Sequence, residues 1–302
     1  MRQGLSSKPI REKMLGQFWC VMNKRGVLTA LLGLVLSFGL AYFFFQQVIP
    51  EAQPLLLRST PVEERTEPFY YVALGDSLTQ GVGDSTGQGG FVPLVSSNLS
   101  LQYGCEVEAE NYGVAGNTSK QILKRMAEDT ALQESLSKAD LMTLSVGGND
   151  VMRVIRDNLD SLTVETFEEP AQAYSKRLSQ IITQARSENP SLPIYVLGIY
   201  NPFYLNFPEV TEMQLVIDNW NTTTEETLST FDGVYFVPIN DRFYRGIDGQ
   251  EGITENQQGQ TVVVNDALFE GDHFHPNNIG YQIMQAAIME KIDETHHNWQ
   301  ED

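Results

Sequence analysis

Four short polar clusters interrupt a chain otherwise patterned by apolar runs: Gly75-Asp76-Ser77-Leu78, Asn111 to Ser119, Gly147-Gly148-Asn149-Asp150, and Asp272-His273-Phe274-His275-Pro276-Asn277. Their residue types suit attack on an ester carbonyl, which needs a nucleophile, a base to take its proton, a group to orient that base, and donors for the oxyanion. Ser77 offers the hydroxyl. The base must titrate near neutrality, and the chain holds four histidines, His273, His275, His296 and His297. The last two fall in a polar C-terminal stretch. His275 has Asp272 three residues before it, a spacing that across a tight turn brings a carboxylate oxygen to one imidazole nitrogen and leaves the other free to face Ser77. Pro276 suits the first turn of a following helix. His273 is expected to point elsewhere, in packing or toward substrate. Candidate oxyanion donors are the Gly116 N–H, the Asn149 side-chain amide and the Ser77 N–H. Singly, each residue has an ordinary reading as a turn or cap residue; the combination at element ends is what points to a site.

The elements that must position these residues alternate between apolar runs and helix-period segments, the pattern of a parallel sheet covered by helices. Strands are expected at about 69–74, 107–112, 141–146, 194–199 and 234–238. Helices are expected near 91–101, 120–136, 167–188 and 210–228, with a last one after Pro276 that carries Ile279, Ile283, Ala287, Ile288 and Ile292 as its apolar stripe. The first three clusters follow strands, at the sheet edge where open α/β sheets bind ligands. Five strands in this order predict a flavodoxin-like three-layer α/β/α sandwich with a central parallel sheet. Residues 242–271 lose all periodicity and read as an irregular excursion, either a lid or a surface insertion. Phe203, Tyr204, Leu205 and Phe207 are candidates to line an acyl channel, and equally candidates for the core.

On these residues the sequence resembles the SGNH, or GDSL, hydrolase family of esterases and lipases. Gly-Asp-Ser-Leu surrounds Ser77, a block glycine stands at Gly116, Gly-x-Asn-Asp spans 147–150 and Asp-x-x-His spans 272–275. The resemblance covers about 70–292. It implies Ser77 as nucleophile, Gly116 and Asn149 with the Ser77 amide as oxyanion donors, and Asp272 and His275 as the rest of a triad. The Gly-x-Ser-x-Gly elbow of α/β-hydrolases is absent. No cofactor or metal is expected: His296-His297 reads as tail, and the acidic runs as solvated surface.

Net charge is −19 and unevenly spread. Residues 1–50 are basic, with six Lys or Arg against Glu12, so the remainder is strongly acidic. That balance argues against nucleic acid and against anionic head groups as partners of the folded part. Residues 27–45 carry no charge and are long enough as a helix to cross the ~30 Å hydrocarbon layer, with all the N-terminal basic residues preceding them. The expected organisation is a cytoplasmic segment 1–26, a transmembrane signal-anchor helix 27–49, a proline-bearing stalk 50–68, a hydrolase domain 69–295 outside the membrane, and a polar tail 296–302. A cleaved signal peptide is the competing reading, disfavoured by the length of the run and the lack of a small-x-small site. The N-terminal anchor resembles that of membrane-attached lipase/acylhydrolases of Gram-positive bacteria. Expected substrates are lipid or other small esters, or O-acylated wall glycans; the alternative from another class is a catalytically silent domain that holds a wall polymer in the same pocket, disfavoured because every catalytic position is filled. Cys20 and Cys105 lie on opposite sides of the apolar run and support no disulfide framework.

Overall fold

The run Phe-Tyr-Tyr-Val-Ala-Leu-Gly forms β1 (Phe69–Gly75) in a computed structural model that describes residues 29, 32–38, 67–204, 211–245, 253–255, 261–263 and 267–299. β2 (Val107–Gly113), β3 (Leu141–Ser145), β4 (Ile194–Leu197) and β5 (Val234–Val237) complete a sheet of order β2-β1-β3-β4-β5, parallel throughout. The order reverses between β1 and β3, and the crevice at such a switch point is where open sheets hold ligands.

Strand periodicity sorts the core into two layers. Val72, Leu74, Met142, Leu144, Ile194 and Val196 face one side, while Tyr71, Ala73, Leu141, Tyr195 and Leu197 face the other. The first side is covered by α3 (Ser119–Glu128), α4 (Thr130–Lys138), α5 (Gly148–Asp157), α6 (Glu168–Ala185) and α7 (Thr211–Leu228), through residues such as Ile122, Leu132, Val151, Leu178 and Trp220. The second is covered by α2 (Phe91–Tyr103) and α9 (Asn278–Thr295), through Phe91, Val95, Leu99, Met284 and Ile288. This is the three-layer α/β arrangement expected. β1 and β3 are buried on both faces, as central parallel strands must be, whereas β2 is an edge strand with exposed Glu108 and Glu110.

Several local expectations are corrected. The single helix expected over 120–136 is two helices: Asp129 ends α3 and caps α4, its carboxylate accepting from Ala131 and Leu132 N–H at 3.1 Å each. Ile279 lies outside the buried stripe of α9, 43% exposed, and Tyr281 and Met284 take its place. Residues 242–271 include the end of α8 (Asn240–Arg245) and the antiparallel pair β6 (Ile253–Glu255) and β7 (Thr261–Val263), so part of the excursion is regular. The C-terminal stretch forms a 3₁₀ turn at His296–Asn298, after which the Trp299 indole N–H donates to the Tyr195 hydroxyl at 2.9 Å. Cys105 is partly buried against the second core layer.

Most of the expected span 27–49 and all of the stalk up to 66 lie outside the described residues; residues 29 and 32–38 are helical. Among the described residues no helix is long and apolar enough to cross a membrane.

Candidate active site

Ser77 is placed by one turn of helix. β1 ends at Gly75, where there is no room for a side chain: a Cβ on it would lie 2.2 Å from Ser145 Oγ and 2.4 Å from Thr79 Oγ1. The chain then turns into α1 (Ser77–Gln80), capped by Asp76, whose Oδ1 accepts from Leu78 N–H at 3.0 Å. Ser77 is therefore the first helical residue, and its N–H is among those that an α-helix leaves without an internal acceptor. Ser77 is 5% exposed and lines a crevice at the carboxyl ends of β1, β3 and β4.

The 272–275 cluster meets it from the far end of the chain. His275 Nε2 lies 2.9 Å from Ser77 Oγ, and His275 Nδ1 lies 2.5 Å from Asp272 Oδ2. The loop closes on itself: Asp272 Oδ1 accepts from Phe274 N–H at 2.9 Å and His275 N–H at 3.0 Å, while His273 takes a left-handed φ of 51° to make the turn. Burial pushes the Asp272 carboxyl up, but the hydrogen bonds from the His275 ring and the two backbone N–H groups outweigh it, leaving the group below the ordinary carboxylate range. Asp272 is thus an acceptor fixed on one imidazole nitrogen, the arrangement that orients a base. His273 is exposed and does not line the crevice. His296 and His297 lie in the 3₁₀ turn after α9 and do not line the crevice, and His296 Nδ1 is engaged with Asp293 O at 2.9 Å.

The candidate oxyanion donors divide. Asn149, in the first turn of α5, lines the same crevice as Ser77, with its Nδ2 donating to Asn117 O at 3.1 Å and to Asp76 Oδ2 at 3.4 Å. Gly116 sits on the exposed turn after β2 with φ of 77°, and nothing lies within 4 Å of where a Cβ would stand. Its turn is held from both sides: Ala115 N–H donates to Gln80 Oε1 at 2.6 Å, and Asn117 O accepts from Asn149 Nδ2, whose residue lines the crevice. Asp150 anchors the arrangement from beneath. Its buried carboxylate accepts from Ser119 N–H at 2.8 Å, Ser119 Oγ at 2.6 Å and Arg177 Nη2 at 3.2 Å, joining the start of α3 to the start of α5.

Two contributors to the site escape a reading of motifs. Asp76 is buried, accepts from Ser145 Oγ at 2.8 Å, and is pushed up to about 6 by desolvation despite the hydrogen bonds from Ser145 and Leu78 and the nearby His275. Tyr200, just past the end of β4, lines the crevice together with Leu197, Ile199, Pro202 and Phe274. The signal for both was positional: each stands at the carboxyl end of a strand, as Ser77 and Asn149 do. Of the expected channel residues, Phe203 packs against the first core layer, and Leu205 and Phe207 lie outside the described residues. The crevice is mainly apolar, walled by Val146, Leu197, Ile199, Pro202 and Phe274 beside the polar Ser77 and Asn149. Among the described residues no group of three or more His, Cys, Asp or Glu side chains is arranged to hold a metal ion.

Comparison with known proteins places this geometry. The Bacillus subtilis (strain 168) protein YpmR is 32% identical over 226 residues, 75% of this chain and 82% of its own. The spore germination lipase LipC of Bacillus licheniformis is 22% identical over 222 residues, 72% of this chain and 93% of LipC. Among solved structures, the lipase Lip_vut3 from a goat rumen metagenome superposes with a TM-score of 0.59 at 21% identity, covering 74% of this chain and 97% of that one. Axe2, an acetyl-xylooligosaccharide esterase from Geobacillus, gives 0.52 at 20%, covering 74% and 93%; at such identities these two likenesses speak for the fold. The GDSL-like lipase/acylhydrolase family model matches residues 73–283, from within β1 to within α9, and so takes in all four polar clusters. A match over that length of chain, enclosing the loops that carry Ser77, Asn149 and His275, makes this protein a member of the GDSL-like lipase/acylhydrolase family.

Proposed function

We propose that this protein is a carboxylic ester hydrolase that works through an acyl-Ser77 intermediate, with His275 as base and then acid and Asp272 as its orienting partner. The observation that carries this reading is the hydrogen-bonded chain from Asp272 through His275 to Ser77 at the mouth of an apolar crevice. Ser77 Oγ attacks the ester carbonyl carbon and its proton passes to His275 Nε2. The negative charge on the carbonyl oxygen is met by Asn149 Nδ2 and by the N–H groups of Ser77 and Gly116. The intermediate collapses as His275 returns the proton to the leaving alkoxide, and the alcohol departs. Water then attacks the acyl-serine with His275 again as base, giving the carboxylic acid and free Ser77.

The substrate reading follows the family: a lipase/acylhydrolase of lysophospholipase type, with the relative LipC bearing the name of a lipase. A second reading is an O-acetylesterase of cell-wall glycans, which the charge-free run 27–45 supports by setting the hydrolase domain on the wall side of the membrane. The charge-free run 27–45 behind an N-terminal basic segment supports anchoring in the cell membrane with the hydrolase domain outside. Initial rates of the full chain on acetyl, butyryl, octanoyl and palmitoyl p-nitrophenyl esters, with Ser77→Ala as blank, test the reading. Rates rising with chain length support the lipase reading, and rates confined to acetyl support the second. No Ser77-dependent hydrolysis of any of them would reject both.

A further inference from the structure

The peptide unit that joins Phe274 to His275 is gripped at both of its polar atoms. Its N–H donates to Asp272 Oδ1 at 3.0 Å, and its carbonyl oxygen accepts the Tyr200 hydroxyl at 2.6 Å. Because the peptide is planar, hydrogen bonds at both of its polar atoms restrict how the unit can tilt, and so narrow the directions in which the His275 side chain leaves the backbone. Tyr200 is well placed to be the rigid end of this grip. It lies just past β4, after Gly198 and Ile199, it is 7% exposed, and its ring stacks on Phe243 of α8 with centroids 4.2 Å apart and planes within 1°. Burial holds its hydroxyl protonated far above the ordinary tyrosine range, so it remains a donor at any working pH.

We infer that Tyr200 is the positioning residue of the hydrolytic site: its hydroxyl ties the His275 loop to the end of β4, while its ring forms part of the crevice wall. The inference rests on the hydrolase reading above. Asp272 and His275 belong to one turn and move together, so their mutual contact does not settle where the imidazole stands relative to Ser77. The tether to Tyr200 references that turn to the sheet, which also carries Ser77 at the end of β1. Since the same side chain lines the crevice, an acyl group seated against Tyr200 presses on the group that aims the base.

The test is Tyr200→Phe in the full chain, which removes one oxygen and keeps the ring. Displacement of a base by a fraction of an ångström to an ångström predicts a loss in kcat on the order of tenfold to a hundredfold with KM within about twofold. The rate at which a fluorophosphonate labels Ser77 should fall by the same factor. The downfield proton resonance of the His275 Nδ1–H···Asp272 bond should broaden or shift. Phe243→Leu loosens the ring but keeps the hydroxyl, and should cost less than Tyr200→Phe. Unchanged kcat and an unchanged downfield resonance in Tyr200→Phe would overturn the inference, as would equal losses in the two variants, which would assign the effect to packing. Absence of ester hydrolysis and of labelling in the wild type would instead defeat the hydrolase reading, and the resonance would still report whether Tyr200 sets His275.

Discussion

His275 Nε2 stands 2.9 Å from Ser77 Oγ although the two residues are 198 positions apart. The contact exists because β1 ends in the Asp76-capped turn that presents Ser77, and because the loop before α9 folds back over the same sheet edge. Residues on opposite ends of a domain are thus joined by hydrogen bonds from Asp272 through His275 to Ser77, and each part of the proposed mechanism can be tested separately.

Ser77→Ala is expected to reduce p-nitrophenyl ester hydrolysis to background. Asp272→Asn keeps the loop's shape but presents an amide to His275 Nδ1, and kcat should fall by ~10³ to 10⁴. Steady-state kinetics on both purified variants is the check; an Asp272→Asn protein within threefold of wild type would remove Asp272 from the mechanism.

Asn149 lines the crevice, and its Nδ2 donates to Asn117 O and Asp76 Oδ2. If its amide turns to the oxyanion only as charge develops, Asn149→Ala should lower kcat by ~10² to 10³ and leave KM nearly unchanged. A rise in KM alone would make Asn149 a ground-state binding residue.

Asp76 gives a pH signature in stability. Its carboxyl is raised by burial to about 6 from an ordinary 3.8, so the folded state favours the protonated form. That contribution is present in full below about pH 4 and is lost as pH rises through 6, an effect on the order of 3 kcal/mol. Asp76→Asn should therefore flatten the fall in unfolding free energy between pH 4 and pH 7.5, measured by urea titration at each pH. Parallel pH profiles for the two proteins would show that Asp76 does not titrate in this window.

The sequence by itself determined the elements and the chemistry available at their ends. Alternation in the strands, which sends Val72 and Leu74 to one layer and Tyr71 and Ala73 to the other, is a property of the chain's own period, and so is the three-residue reach from Asp272 to His275. The break between α3 and α4 was also written locally: the buried positions Ile122 and Met126 are followed by Leu132 and Leu136, out of helical step, with the capping residue Asp129 between them. What only the tertiary structure decided is which strand ends lie side by side and which groups beneath them lose water. The order β2-β1-β3-β4-β5 brings Asn149 beside Ser77 and leaves Gly116 on an outer turn. Burial pushes the carboxyl of Asp76, the cap of α1, up to about 6 despite the hydrogen bond from Ser145. Tyr200 becomes a tether only because α9's leading loop passes over β4, a contact between residues 74 positions apart. Local spacing sets what a turn can hold; long-range packing sets distances and desolvation, and those two quantities convert a list of polar residues into a site.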